Sequence, residues 1–128
     1  MTDAIRGILT VMGEQNVRRI VVTSTQGAGD DWARLNPLFK AFIKLSNVKA
    51  SFDDHHGVDQ IVRASDTDWT LARPVVLSNK PGGAALRGAA AGDEKPGTEV
   101  TRADVAGFLL DSVEQGTWIR QAPIIWGT

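Results

Sequence analysis

The side chains in this sequence that could do chemistry are Ser24, Arg73, the run Asp53-Asp54-His55-His56 and four tryptophans. Ser24 closes a run of strand-forming residues, and with a histidine and an aspartate it would make a hydrolytic triad. That chemistry wants the serine on a Gly-x-Ser-x-Gly elbow, and its neighbours here are Thr23 and Thr25. Ser24 therefore reads as a polar group at a strand end, satisfying the backbone or facing a ligand. The acidic-histidine run invites a metal ion. On a helix only Asp53 and His56 are neighbours, at i and i+3, and two ligands do not make a zinc site. The run reads instead as an acidic first turn complementing the helix dipole, with solvent-facing histidines, and no metal is expected. Trp32, Trp69, Trp118 and Trp126 are far apart and stand at element edges. Packing is their expected role, ahead of a stacking platform for a ligand. Arg73 either holds a phosphate or carboxylate, or pairs with a nearby aspartate.

Composition narrows the setting. The 128 residues carry 14 basic and 15 acidic side chains, a net charge of -1. Nucleic acid is not an expected partner, because phosphate binding needs a positive surface and Arg18-Arg19 is the only basic doublet. The absence of cysteine removes disulfides and thiolate chemistry. No apolar run approaches the ~20 residues of a membrane helix, and Met1-Thr2-Asp3 has no basic leader character. One cytoplasmic domain over residues 1–128 is the expectation.

The elements that must position these residues alternate. Ile5, Ile8, Leu9 and Met12 mark one helix face over 3–15, with Thr2 or Asp3 as cap and Gly13 near its end. Residues 18–24 read as a strand; Ile20-Val21-Val22 is continuous and apolar, as in buried parallel strands. Gly27 and Gly29 break the chain, and a short helix follows Asn36-Pro37. Ser51 and Asp54 suggest a capping box for a helix over 53–65. Trp69 to Arg73 is a strand that meets Pro74 and continues as an apolar loop. Residues 78–97 are rich in glycine, with a short strand near Leu86 to Ala89. Thr101 and Asp104 cap a helix over 102–115, Gly116 stops it, and residues 122–126 form a last strand. The expected class is α/β, a small and mostly parallel sheet with helices on both faces.

Four stretches carry a family resemblance: Val17 to Thr25; Val62 to Pro74, ending in Leu71-Ala72-Arg73-Pro74; Thr101-Arg102-Ala103-Asp104-Val105-Ala106; and Gln121 to Gly127. In order and spacing they resemble the C-terminal half of the atypical short-chain dehydrogenase/reductases, the NAD(P)H-binding group of NmrA-like proteins and biliverdin reductase B-like flavin reductases. The resemblance implies a partial Rossmann-like sheet with NADP or NAD at the carboxyl ends of its strands. It implies Thr23, Ser24, Thr25, Arg73, Pro74, Val75 and Val76 at the cofactor, with Ser24 as the catalytic candidate. Two parts of the family pattern are absent. No strand leads into a Gly-x-x-Gly-x-x-Gly turn, since Gly27-Ala28-Gly29 runs into Asp30 and Asp31, which would repel a pyrophosphate. With no tyrosine there is also no Tyr-x-x-x-Lys pair.

Two functions follow from the resemblance. One is an NAD(P)H-dependent reductase of a small flavin-like or quinone-like substrate, completed by a dinucleotide half from elsewhere. The other is a non-catalytic oligomerising or binding module derived from the same fold. Either way residues 18–24 become an edge strand, which invites a homodimer through that strand. The loop of residues 78–97, poor in large apolar groups, should be the most mobile internal segment.

Overall fold

The computed structural model describes all residues, 1–128. The chain runs α1 (Thr2–Glu14), β1 (Arg19–Thr23), a 3-10 helix (Gly29–Arg34), α2 (Pro37–Leu45), α3 (Lys49–Ala64) and β2 (Asp68–Pro74). It continues through β3 (Val76–Ser78), β4 (Leu86–Ala89), β5 (Glu99–Thr101), α4 (Arg102–Gln115) and β6 (Ile124–Gly127). The main sheet has the order β1-β2-β6-β4. Its first three strands are parallel and β4 is antiparallel to β6. β3 and β5 form a separate parallel pair, which the apolar loop after Pro74 conceals in the sequence. The result is an α/β, Rossmann-like open sheet, mostly parallel.

Alternation along the strands sorts two cores. Trp69 and Leu71 of β2 and Val22 of β1 pack with Ile5, Val58 and Val62 from α1 and α3. Ala72 joins Val75, Val100, Val105, Ile125 and Trp126 in the second core, where Phe108 and Leu109 of α4 pack. Burying six such side chains contributes about 1.5–3 kcal/mol each before entropy is counted.

Helix ends follow local chemistry in two cases and long-range chemistry in two. The Asn36 side chain accepts from Leu38 N–H at 2.8 Å, with Pro37 in the first turn, so α2 starts where the dipeptide requires. The Thr101 hydroxyl accepts from Asp104 N–H at 3.0 Å, and Gly116 ends α4 in the left-handed region at φ 61°. The expected cap of α1 by Thr2 or Asp3 is not formed. Nor is the Ser51–Asp54 box, because α3 begins four residues before 53, at Lys49. One contact explains both differences. Asp54 accepts from Thr2 N–H at 2.9 Å and from its hydroxyl at 2.6 Å, so each helix's expected cap residue is spent on the other. β6 lies two residues later than expected, Gln121 making only an isolated bridge to Thr70.

Arg19 is turned inward. Its guanidinium donates to Asp68 O and Thr70 Oγ1 at 2.8 Å and to Ser112 O and Thr117 O at 2.8 Å. The last two are carbonyls at and just past the end of α4, where backbone acceptors lack helical partners. No helix is long and apolar enough to cross a membrane.

Candidate functional site at the strand ends

β1 and β2 end side by side, with Thr23 opposite Ala72. Beyond them Ser24 N–H donates to Ala72 O at 2.7 Å and Gln26 N–H to Pro74 O at 3.1 Å. The two chains therefore leave the sheet together, and a cavity of about 350 Å³ opens where they separate. Thr25, Gln26, Pro74, Val75 and Val76 form its base. Phe39, Phe52, Leu77 and Arg102 complete it from α2, α3, β3 and α4. It is mainly apolar, with one cation and a few hydrogen-bonding groups, the usual make-up of a small-molecule site.

Of the residues the sequence singles out, Thr25, Pro74, Val75 and Val76 meet around this cavity. Thr23 lies instead on a groove between α1 and β1. The Ser24 hydroxyl is buried and has no hydrogen-bond partner. Arg73 is fully buried, and its Nη2 reaches Asp59 Oδ2 at 2.9 Å and Asp30 Oδ1 at 2.5 Å. Of the two roles open to it, this geometry is the paired one. Gln26, Phe39, Phe52, Leu77 and Arg102 carry no sequence signal as site residues; only the apolar spacing on α2 hints at Phe39.

The segment after β1 is held by one of its own side chains, Asp31, and by side chains from α3 and β2. Asp31 Oδ2 accepts from Gly27 N–H at 2.7 Å, and His56 Nδ1 accepts from Gly29 N–H at 3.0 Å. Arg63 bridges Asp59 at 2.7 Å and Asp30 at 3.0 Å. Burial pushes Asp30 up, but the hydrogen bond from Arg73 and the charges of Arg73 and Arg63 outweigh it and leave the carboxyl below its usual 3.8. His56 also packs edge-on to Trp32 at 5.4 Å. The histidine expected to face solvent is thus a half-buried backbone acceptor, and Asp53-Asp54-His55-His56 gathers no third metal-ligating side chain.

The family with the description NAD(P)H-binding matches residues 1–116. The chain belongs to that family. Solved structures of the same fold include a short-chain dehydrogenase/reductase. The enzyme of Veillonella parvula DSM 2008 superposes with TM-score 0.81 at 16% identity, covering 98% of this chain and 58% of that one. A second structure of it, in complex with NADP, gives 0.78 at 17% identity over the same shares. ChuY of Escherichia coli O157:H7, an anaerobillin reductase, gives 0.75 at 19%, covering 95% of this chain and 56% of that one. This chain of the NAD(P)H-binding family therefore spans a little over half the length of the structures it matches. No curated protein matches it.

The residues present fit one end of such a cofactor. A cavity of about 350 Å³ with a proline-valine base and a hydrogen-bonding rim suits a nicotinamide ring. The pyrophosphate finds no cradle in the segment after β1. The N–H groups of Gly27 and Gly29 are already given to Asp31 and His56, and two carboxylates follow them.

Proposed function

We propose that this chain supplies the nicotinamide and substrate side of an NAD(P)H-dependent reductase acting on a small flavin-like or quinone-like substrate. The cavity at the joint ends of β1 and β2, in a chain of the NAD(P)H-binding family, carries the reading. A bound cofactor would supply the hydride, chemistry that is its own. The chain's part is orientation and the exclusion of water. Val76, Leu77, Phe39 and Phe52 offer an apolar cover. Thr25 and Gln26 offer hydrogen bonds for a carboxamide, and Arg102 a charge for an anionic group. Ser24, whose hydroxyl has no partner within the chain, is assigned a hydrogen bond to cofactor or substrate. Thr23 and Arg73 act from behind the cavity, Arg73 by fixing the segment that carries Thr25 and Gln26.

The test compares NADPH with reduced nicotinamide mononucleotide, read from the amide resonances of residues 25–26 and 75–77. Both should shift these amides with dissociation constants near about 1 mM, because the adenylate half finds no cradle here. Unmoved amides at saturating ligand would remove the nicotinamide reading. A second reading, a binding module without turnover, is favoured by the committed N–H groups of Gly27 and Gly29. NADPH oxidation with a flavin or a quinone as acceptor separates the two.

A further inference from the structure

Residues 32–49, from Trp32 through α2 to the start of α3, hold Arg34, Lys40, Lys44 and Lys49 and no acidic residue, in a chain of net charge -1. Lys49 pairs with Asp53 at 2.6 Å. Arg34, Lys40 and Lys44 enter none of the chain's ion pairs, and Lys40 lies over the Trp32 ring with its charge unpaired. The apolar side chains of this stretch are as one-sided as its charges. Ile43 is the buried residue of α2. Leu38, Phe42 and Leu45, at i, i+4 and i+7, share a face turned away from it and are 81%, 62% and 90% exposed. Phe39 and Phe42 stack at 15° with centroids 6.2 Å apart, and with Ala41 they line a groove of about 590 Å³.

A contiguous exposed apolar patch marks an interaction site, and this one is internal to the chain. Further strands of a doubly wound sheet would add beyond its edge strand β1. α2 stands elsewhere: Phe39 shares the strand-end cavity with Val76, Leu77 and Arg102. Val76 and Leu77 belong to β3, which pairs with β5, and β5 packs on β6, so this is the side of β2 away from β1. The charges name the occupant. An apolar face of leucine and phenylalanine, flanked by Lys40 and Lys44 one helical turn apart, is the pattern of a helix lying in a bilayer interface. The long lysine stems let the ammonium groups reach headgroups while the apolar side chains go below them.

We infer that α2 docks this chain reversibly on an anionic lipid surface. Leu38, Phe42 and Leu45 enter the boundary between headgroups and acyl chains, and Lys40 and Lys44 meet the anionic headgroups. A helix of nine residues is only ~14 Å long. Its affinity for accessible lipid is therefore low, on the order of 10⁴ M⁻¹, comparable to that of a single acyl chain. Phe39 lines both the patch and the strand-end cavity, so docking brings that cavity to the bilayer surface. An acceptor dissolved in the bilayer, quinone-like rather than flavin-like, is then the one within reach. That choice of acceptor rests on the nicotinamide reading, and the docking does not.

Co-sedimentation with vesicles of phosphatidylcholine containing about 30% phosphatidylserine, at about 1 mM accessible lipid, tests the docking. Most of the chain should pellet, and pure phosphatidylcholine or about 0.5 M salt should weaken binding by at least about tenfold. Phe42→Ser combined with Leu45→Ser should weaken it by at least about tenfold, and Lys44→Gln by about fivefold. Leu110→Ser, on the exposed side of α4, should leave it unchanged. Because the chain has no cysteine, Leu45→Cys carrying a polarity-sensitive dye gives a readout that does not depend on the double variant folding. Its emission should shift to the blue on the anionic vesicles, while that of the same dye on Lys95→Cys should not. Failure to pellet overturns the proposal, as does equal binding to the neutral vesicles, or binding that is lost with Leu110→Ser and kept by the double variant. So does an unshifted dye at position 45. Loss of binding when a separate strand-bearing segment of an NAD(P)H-binding fold is added overturns it too, because the patch would then be an internal contact of a longer fold.

Discussion

Two glycine-bearing connections leave the carboxyl ends of the strands, and they are held differently. Residues 24–36 after β1 carry one side-chain tie of their own, Asp31 on Gly27, and His56, Arg63 and Arg73 fix them from elsewhere in the chain, with buried Asp59 beneath, holding Arg73 and Arg63. Residues 79–98 after β3 are fixed by backbone pairing of β4 to β6 and otherwise by exposed pairs. These include Arg87 with Glu94 at 2.7 Å, Lys80 with Glu99 at 2.8 Å, Gly83 N–H on Asp104 at 2.8 Å and Arg102 on Asn79 at 2.7 Å. Exposed pairs add little, about 0–1 kcal/mol each, whereas a buried charge left alone is costly. Glycine content alone does not distinguish the two. What does is whether a buried ion pair lies underneath.

The sharpest break in this comparison is Arg73→Met. It leaves the buried Asp59 with only the partly exposed Arg63 as its cation, and urea unfolding should show a loss of about 3 kcal/mol. A loss no larger than that of Arg87→Met would mean the buried pair is not what fixes the first connection. Next come two matched glycine substitutions. Gly29 has φ +58° and an added Cβ would lie 2.6 Å from Asp59 Oδ1, while Gly83 has φ +105° and open space around it. Gly29→Ala should cost about 2 kcal/mol or more and Gly83→Ala about 1 kcal/mol, the left-handed strain alone. Equal costs would show that the carboxylate moves aside freely. In hydrogen exchange the amides of residues 79–85 and 90–98 should exchange well before those of Gly27 and Gly29. The reverse order would undo the distinction.

Acid gives the smallest and most gradual effect. Burial lowers the His55 pKa below 6.5, with the Asp54 charge opposing and His56 adding to the fall. The unfolded chain then takes its proton first, so stability present above pH 6.5 declines as pH falls toward the folded value. Asp30, held below 3.8, keeps its contribution above that pH and loses it as pH falls through the lower folded value. Denaturation midpoints from pH 8 downward should fall in the first window for the wild type and stay flatter there for His55→Gln.

What the sequence shows of this fold is what short spacing can encode. The three parallel strands, the Asn36-Pro37 start of α2, the Thr101 cap and the Gly116 stop depend on neighbours within a few residues. The cavity opens just past Arg73, lined by Pro74, Val75 and Val76, in and beside the stretch that carries the family resemblance. The misreadings all involve partners far apart. Asp54 belongs to Thr2, 52 residues away. Asp30 reads as a charge hostile to phosphate and is that, but it is also Arg73's partner across 43 residues. His56 has nothing beside it in sequence to suggest the Gly29 amide. The β3–β5 pair is hidden because each strand has only three residues, too short for alternation to register.

The Arg19 contacts govern the order in which the molecule is made. Two of the four carbonyl and hydroxyl groups that receive its guanidinium lie 93 and 98 residues downstream, and Thr70, which shares Arg19, also bonds Trp118 O at 2.7 Å. On a chain emerging from the ribosome, β1 comes out 98 residues ahead of Thr117 and waits for it before this latch can close. Such long loop closures slow folding, and during the wait an unguarded apolar strand is open to any neighbouring strand. Slow refolding, with yield falling as chain concentration rises, is built into where one arginine finds its acceptors.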